Sequence, residues 1–225
     1  APMLYMLRAG IEEKIKKFVQ NGGNLVTTYW SGIVNETDLC FLGGFPGPLK
    51  EVLGIWSEEI DGLYDRDSNQ IAFIGGNELG LTGSFEVKEL CDLIHLQGAT
   101  ELARYQEDFY KGRPALTVNQ FGQGKAYYIA ARANDRFHKK LYKRLVEEAK
   151  ISYIIDTDLP EGVTVQIRIL EDVEYIFIMN FSIEEKTICL DDREYTDMYS
   201  GKKIDRNMSI KPYEINIVKR SFGKY

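Results

Sequence analysis

Apolar residues recur at Ile11, Ile15, Phe18 and Val19, the i, i+4, i+7, i+8 spacing of a single helical face, with Glu12 and Glu13 near the start and Lys16 and Lys17 further on. That charge order suits the helix macrodipole and predicts an amphipathic helix over Ile11–Gln20. A Gly22-Gly23 turn ends it, and the short apolar run Leu25–Tyr29 reads as a buried parallel strand on which the helix packs. Beyond Trp30-Ser31-Gly32, the segment Ile33 to Gly47 mixes the turn formers Asn35, Asp38, Gly43, Gly44, Pro46 and Gly47 with apolar Leu39, Phe41, Leu42 and Phe45. It is expected to be a long, ordered loop. Pro48 suits the first turn of a short helix, Leu49–Leu53, closed by Gly54.

Period-two and short apolar runs dominate the rest. Strands are expected around Ile55–Ile60 and Gln70–Ile74, separated by the turn Asp65-Arg66-Asp67-Ser68-Asn69, then β structure from Phe85 with a short helical or extended piece over Leu90–Leu96, and a strand near Leu102–Tyr105. Ala115–Asn119 and Ala126–Ala131 flank Phe121-Gly122-Gln123-Gly124-Lys125, whose glycines predict a hairpin. Phe137, Leu141, Leu145 and Ala149 line one face of a second helix, Phe137–Ala149. From Ile151 to Gly162 the turn residues Asp156, Asp158, Pro160 and Gly162 mark a linker. After it Val163–Leu170, Val173–Phe181, Thr187–Leu190, Tyr195–Tyr199 and Tyr213–Val218 predict a small antiparallel β domain. The expected division is 1–155 and 156–225.

The 225 residues carry a net charge of -6 and 44% hydrophobic residues, ample for packed cores. An acidic chain argues against nucleic acid or an anionic membrane as partner. No apolar run approaches the roughly 18 residues of a membrane-spanning helix, and no signal-peptide pattern is present, so a cytoplasmic location is expected. Cys40, Cys91 and Cys189 lack metal-site spacing and are expected to be reduced and buried. No metal or cofactor is expected.

Three stretches, GGNLVTTYWSGIVNETDLCFLGGFPGPLKEVLGIWSEEID (Gly22–Asp61), LCDLIHLQGATELARY (Leu90–Tyr105) and DFYKGRPALTVNQFGQGKAYYIAAR (Asp108–Arg132), closely resemble the trimerisation domain of glycoside hydrolase family 42 β-galactosidases. A fainter similarity, Val163–Val218, extends to that family's C-terminal β domain. The resemblance implies a flavodoxin-like, class I glutamine amidotransferase-like α/β domain with a central, mainly parallel sheet, followed by a small antiparallel β-sandwich. Ala1–Tyr5 reads as the end of a strand, so the sheet's first strands are expected to be cut off.

In that family the two catalytic glutamates lie on a (β/α)8 barrel preceding this region, and such a barrel needs about 250 residues. The chain is therefore expected to be the non-catalytic, C-terminal part of an enzyme that removes terminal β-D-galactose residues with retention. Its implied partners are other copies in a homotrimer, the parent's catalytic barrel and the galactosides the parent binds.

An amidotransferase-like nucleophile would sit on a strand-to-helix elbow, G-x-C-x-G. The nearest match, Thr28-Tyr29-Trp30-Ser31-Gly32, puts Trp30 there, and an indole cannot attack a carbonyl. His95, between Ile94 and Leu96, reads as a hydrogen-bonded core or interface residue, and His138 as a surface one. Glu36 and Asp38 read as loop-capping groups. No catalytic residue is assigned. The remaining candidates are Trp30, Leu39, Phe41, Leu42 and Phe45, whose apolar surface in one loop would be costly on a monomer and predicts a trimer contact. A carbohydrate-binding module using Trp30, Trp56 or the tyrosines of the β domain is the alternative, with a free-standing amidotransferase-like hydrolase behind it.

Overall fold

A computed structural model describes residues 1–221. The chain forms two compact units, Ala1–Lys150 and Ile151–Tyr225.

In the first unit a short strand, β1 (Met6–Leu7), leads into helix α1 (Ile11–Gln20) and strand β2 (Asn24–Thr28). Val19, inward on α1, is fully buried, while Glu12 and Glu13 occupy its first turn. Strand β3 (Val34–Asn35) pairs parallel with β1. A 3-10 turn, Gly47–Leu49, runs into the single-turn helix α2 (Lys50–Leu53), which ends at Gly54 with φ +61, a conformation that glycine adopts without steric cost.

Strands β4 (Ile55–Gly62) and β5 (Asn69–Phe73) both pair with β6 (Ser84–Leu96), one after the other along its length. The expected helical or extended piece at Leu90–Leu96 is thus the second half of one 13-residue strand. Then come β7 (Thr100–Tyr105), β8 (Pro114–Phe121), β9 (Gly124–Ile129), β10 (Ala131–Ala133) and helix α3 (Asp135–Glu148). The Asn134 side chain caps α3 by accepting from the Phe137 amide at 3.1 Å.

The main sheet runs β10-β6-β5-β7-β8-β9-β2, with β4 also on β6. Ala130, between β9 and β10, donates to Ala115 O and accepts from the Asp92 amide. One continuous stretch therefore pairs with both ends of the β6-to-β8 run, and the sheet curls back on itself. The expectation of a mainly parallel sheet is overturned. Among the described pairings of this sheet only β2 on β9 is parallel. The connections explain why, since a parallel crossover needs a dozen or more residues and β8–β9 is joined through Gly122-Gln123 alone.

Strand β9 separates two cores. Tyr127 and Ile129 face a cluster with Ile71, Phe85, Leu102, Leu116 and Phe137, while Ala126 and Tyr128 face one with Leu7, Val19, Leu53 and Ile94. Burial on both faces gives β9 the continuous apolar look of a parallel strand, although its partner β8 is antiparallel.

The second unit has an antiparallel sheet of β11 (Val163–Leu170), β12 (Val173–Asn180), β16 (Ile215–Ser221) and β14 (Thr196–Asp197), and a two-stranded one of β13 (Lys186–Cys189) and β15 (Asn207–Ile210). Ile176, Ile178 and Val218 of the first sheet pack with Ile188, Met208 and Ile210 of the second around a single core. The alternation in β12 is regular, Glu174, Ile176, Ile178 and Asn180 being buried and their neighbours half-buried. β15 was not among the expected strands.

Candidate functional site

The segment Trp30–Pro48 is fastened at each end and at its middle. At its start Trp30 stands at φ +59, and Ser31 turns its hydroxyl onto Thr28 O at 2.7 Å while accepting from the Leu4 amide at 2.9 Å. The Gly32 and Ile33 amides donate to Leu4 O and Tyr5 O. The Trp30 ring lies nearly parallel to that of Tyr5, centroids 6.2 Å apart. Thr28–Gly32 turns sharply at the left-handed Trp30, but this elbow leads from β2 toward β3 and not into a helix, and Trp30 offers no nucleophile.

In the middle, Asn35 Oδ1 accepts from the Thr37 and Leu39 amides, 2.9 and 3.1 Å, and the Phe41 amide returns to Ile33 O at 3.0 Å. Asn35, rather than Glu36 or Asp38, does the capping. Asp38 instead accepts from the Tyr5 hydroxyl, which raises the tyrosine's pKa. Phe41 folds inward against the α1–α2 cluster and crowds Gly47. Cys40, next to it, faces outward and is exposed, as is Cys189, while Cys91 is buried. The expectation of three buried thiols therefore holds for Cys91 alone, because Phe41 takes the inward position in its loop and Cys189 lies outward on β13, where Ile188 faces the core.

At its far end the loop is clamped on β4. Phe45 bridges to Ser57, whose amide donates to Phe45 O at 2.9 Å, and Lys50 Nζ donates to Gly43 O at 2.6 Å. Gly44 packs at Nε1 of the Trp56 indole, and the indole stacks on His95, ring centroids 4.9 Å apart. His95 Nε2 meets Glu58 Oε2 at 2.7 Å, and Arg113 donates to the same oxygen at 2.8 Å. The Arg113 guanidinium, and then His95, hold the Glu58 carboxyl below its usual range. His95 is thus not a core residue. Its strand turns it outward, opposite Trp56, where it is half-buried and hydrogen-bonded.

Of the five candidates, Trp30, Phe41 and Phe45 are half-buried, whereas Leu39 is 64% and Leu42 99% exposed. The loop is therefore a fixed scaffold with two leucines outward. Among the described residues no group of three His, Cys, Asp or Glu side chains is arranged to hold a metal ion, and no helix is long and apolar enough to cross a membrane.

Two polar clusters were not anticipated. Asp92, 1% exposed, lies under Trp30. The signal for it is a lone acid inside the apolar run Leu90-Cys91-Asp92-Leu93-Ile94. In the second unit Arg220 and Glu174 form a buried ion pair, and Arg220 also donates to the Tyr195 hydroxyl and Ile154 O.

The family model described as the β-galactosidase trimerisation domain matches residues 1–152, and that of the β-galactosidase C-terminal domain matches residues 162–220. β-Galactosidase Pbg of Clostridium perfringens is 56% identical over 220 residues, 98% of this chain and 32% of its own length. β-Galactosidase BglY of Alicyclobacillus acidocaldarius is 46% identical with the same coverage. The crystal structure of the β-galactosidase from Bacillus circulans sp. alkalophilus superposes with a TM-score of 0.87 at 41% identity, over 98% of this chain and 32% of that one. The chain spans about a third of the length of the relatives it matches. Neither described unit is a (β/α)8 barrel. The chain belongs to the glycoside hydrolase family 42 β-galactosidases, of which it carries the trimerisation and C-terminal domains and not the catalytic one.

Proposed function

We propose that this chain is the assembly part of a β-galactosidase acting on terminal, non-reducing β-D-galactose residues, that it associates as a homotrimer, and that the loop Trp30–Pro48 forms part of the contact. The observation that carries the reading is Leu42, almost wholly exposed, with Leu39 also outward, on a loop whose backbone is clamped by Trp56 and Lys50. Pre-ordering a loop removes part of the entropy cost of association. Removing a leucine from water is worth roughly 1.5 to 3 kcal/mol, so Leu42 and Leu39 together supply a modest driving force. The parent's catalytic barrel and its galactosides are the remaining partners, in the cytoplasm. The flavodoxin-like, amidotransferase-like reading is retained for the portion where α1 packs against the parallel pair β2 and β9.

Light scattering across a concentration series tests the contact. The expected result is a trimer in equilibrium with monomer whose dissociation constant rises roughly ten- to a hundredfold in Leu42→Asp. A monomer at every concentration, or a trimer indifferent to that substitution, rules the loop out. The chain alone is expected to release no product from a chromogenic galactoside, and turnover lost on mutating one of its own carboxylates would contradict the non-catalytic assignment.

A further inference from the structure

Trp30 holds a left-handed backbone conformation that a bulky residue adopts only when its surroundings impose it, and such positions cluster where a segment is held for a purpose. The surroundings here are two side chains of the sheet. The Trp30 amide donates to Asp92 Oδ2 at 3.4 Å, and the Tyr128 hydroxyl donates to the same oxygen at 2.5 Å. One carboxyl oxygen thus holds both the elbow's Trp30 amide and the Tyr128 phenol of β9. The other oxygen, Oδ1, is buried and has no hydrogen-bond partner among the described residues. The two bonds to Oδ2 favour an ionised carboxylate, while Oδ1 is left free to take up a proton.

We propose that Asp92 is a proton-operated latch on the Trp30 elbow: ionised, it grips the Trp30 amide and the Tyr128 hydroxyl, and protonated, it slackens that grip and lets the Trp30 ring shift on Tyr5.

The groups facing Asp92 leave it the proton acceptor of the cluster. From β9 comes Tyr128 and from β7 Tyr105, whose hydroxyl donates to Asp92 O; both are fully buried and kept as phenols far above their usual pKa by that burial. On β6 itself the buried Cys91 thiol is pushed up to about 11, chiefly by burial and further by Asp61 of β4 and by Asp92. Beside the elbow the Arg132–Glu89 pair acts on Tyr29 together with Asp92, and its two charges oppose each other. Burial raises Asp92 itself to about 7, against the opposing hydrogen bonds from Tyr128 and Trp30. The latch would therefore operate within the physiological range.

Trp30 and Trp56 are the protein's two tryptophans, so Trp56→Phe isolates the emission of Trp30 in the full chain. The expected result is a one-proton change in that emission with a midpoint between about pH 6 and 8, at constant far-ultraviolet circular dichroism. Asp92→Asn in the same background should abolish it. Tyr128→Phe, which removes a hydrogen bond to the ionised form, should move the midpoint upward, and this arm decides the matter if Asp92→Asn does not fold. No titration of Trp30, a titration that survives Asp92→Asn, or a midpoint unmoved by Tyr128→Phe would overturn the proposal.

Discussion

Gly44 lies so close on the Trp56 indole that a Cβ at that position would come within 2.4 Å of Nε1. The ring is not free to shift at will, because it also stacks on His95, which Glu58 holds in place. Gly44 also has φ +89, so an L side chain there would be strained even with free space. Gly44→Ala is therefore expected to free the loop from β4, costing about 1 to 3 kcal/mol. Faster hydrogen exchange at the Ser57 amide, which bonds Phe45 O, is the local readout. An unchanged exchange rate would mean that Trp56 does not clamp the loop.

The buried carboxyl of Asp92 also sets a stability slope. Its pKa is about 7 in the folded protein against 3.8 for the unperturbed group. Between those values the folded state holds a proton that the unfolded state has released. This contribution is therefore fully present below about pH 4 and lost as pH rises through about 7. Carboxylates held below their usual pKa, such as Glu58 and Asp191, act in the opposite sense at lower pH. Urea unfolding at pH 5.5 and pH 8 isolates the Asp92 term. Asp92→Asn should lose less stability between the two than the parent chain, and equal losses would show that Asp92 is already ionised at the lower pH.

Where one local rule decides the structure, the chain could be read closely. Helix α1 spans the residues its apolar spacing marks, Gly54 closes α2, and Gly122-Gln123 turns the β8–β9 hairpin. Strand sense was not legible. Ala126–Ile129 is apolar throughout because it has a core on each face, a pattern that fits parallel and antiparallel neighbours alike. Strand β6 was legible from Phe85, whereas its second half, Leu90–Leu96, fits a helix or a strand because its apolar residues do not alternate cleanly. The five apolar loop residues could be listed but not sorted. Whether Phe41 turns in and Leu42 out depends on backbone conformations at Gly43, Gly44 and Gly47 that composition does not encode. The hydrogen bonds that bring Tyr128 and Trp30 to the Asp92 carboxyl, and His95 and Arg113 to Glu58, span 36 to 62 positions and were out of reach for the same reason.

The Arg220–Glu174 pair joins neighbouring strands of the second unit with both side chains about nine-tenths buried. Arg220 is further satisfied by the Tyr195 hydroxyl at 2.9 Å and Ile154 O at 2.8 Å. Glu174→Ala would leave a guanidinium in the interior without its counter-charge, a loss typically of about 3 to 5 kcal/mol. Chemical unfolding followed through the β-domain tyrosines should show a destabilised transition. A variant as stable as the parent would indicate that Arg220 reaches water when unpaired.

Gly124, the first residue of β9, sits against the end of α1, where an added Cβ would lie 2.2 Å from Gly23 O and 2.3 Å from Val19 O. Both obstacles are backbone atoms. One belongs to the turn that leads into β2 and the other to the last turn of the helix, so no side-chain rotation relieves the clash. The hairpin tip is tied to the same place by the Gln123 amide, which donates to Gln20 O at 3.0 Å. Gly124→Ala must therefore either lift the hairpin from α1 or push β2 out of register with β9, where Asn24 now faces Lys125. Overpacking of this kind costs about 1 to 3 kcal/mol. The exposed neighbour Gln123, which uses only its backbone here, should tolerate Gln123→Ala within about 0.5 kcal/mol. Paired urea titrations of the two variants check the difference, and equal stabilities would mean that the hairpin tip and α1 do not bear on each other in solution.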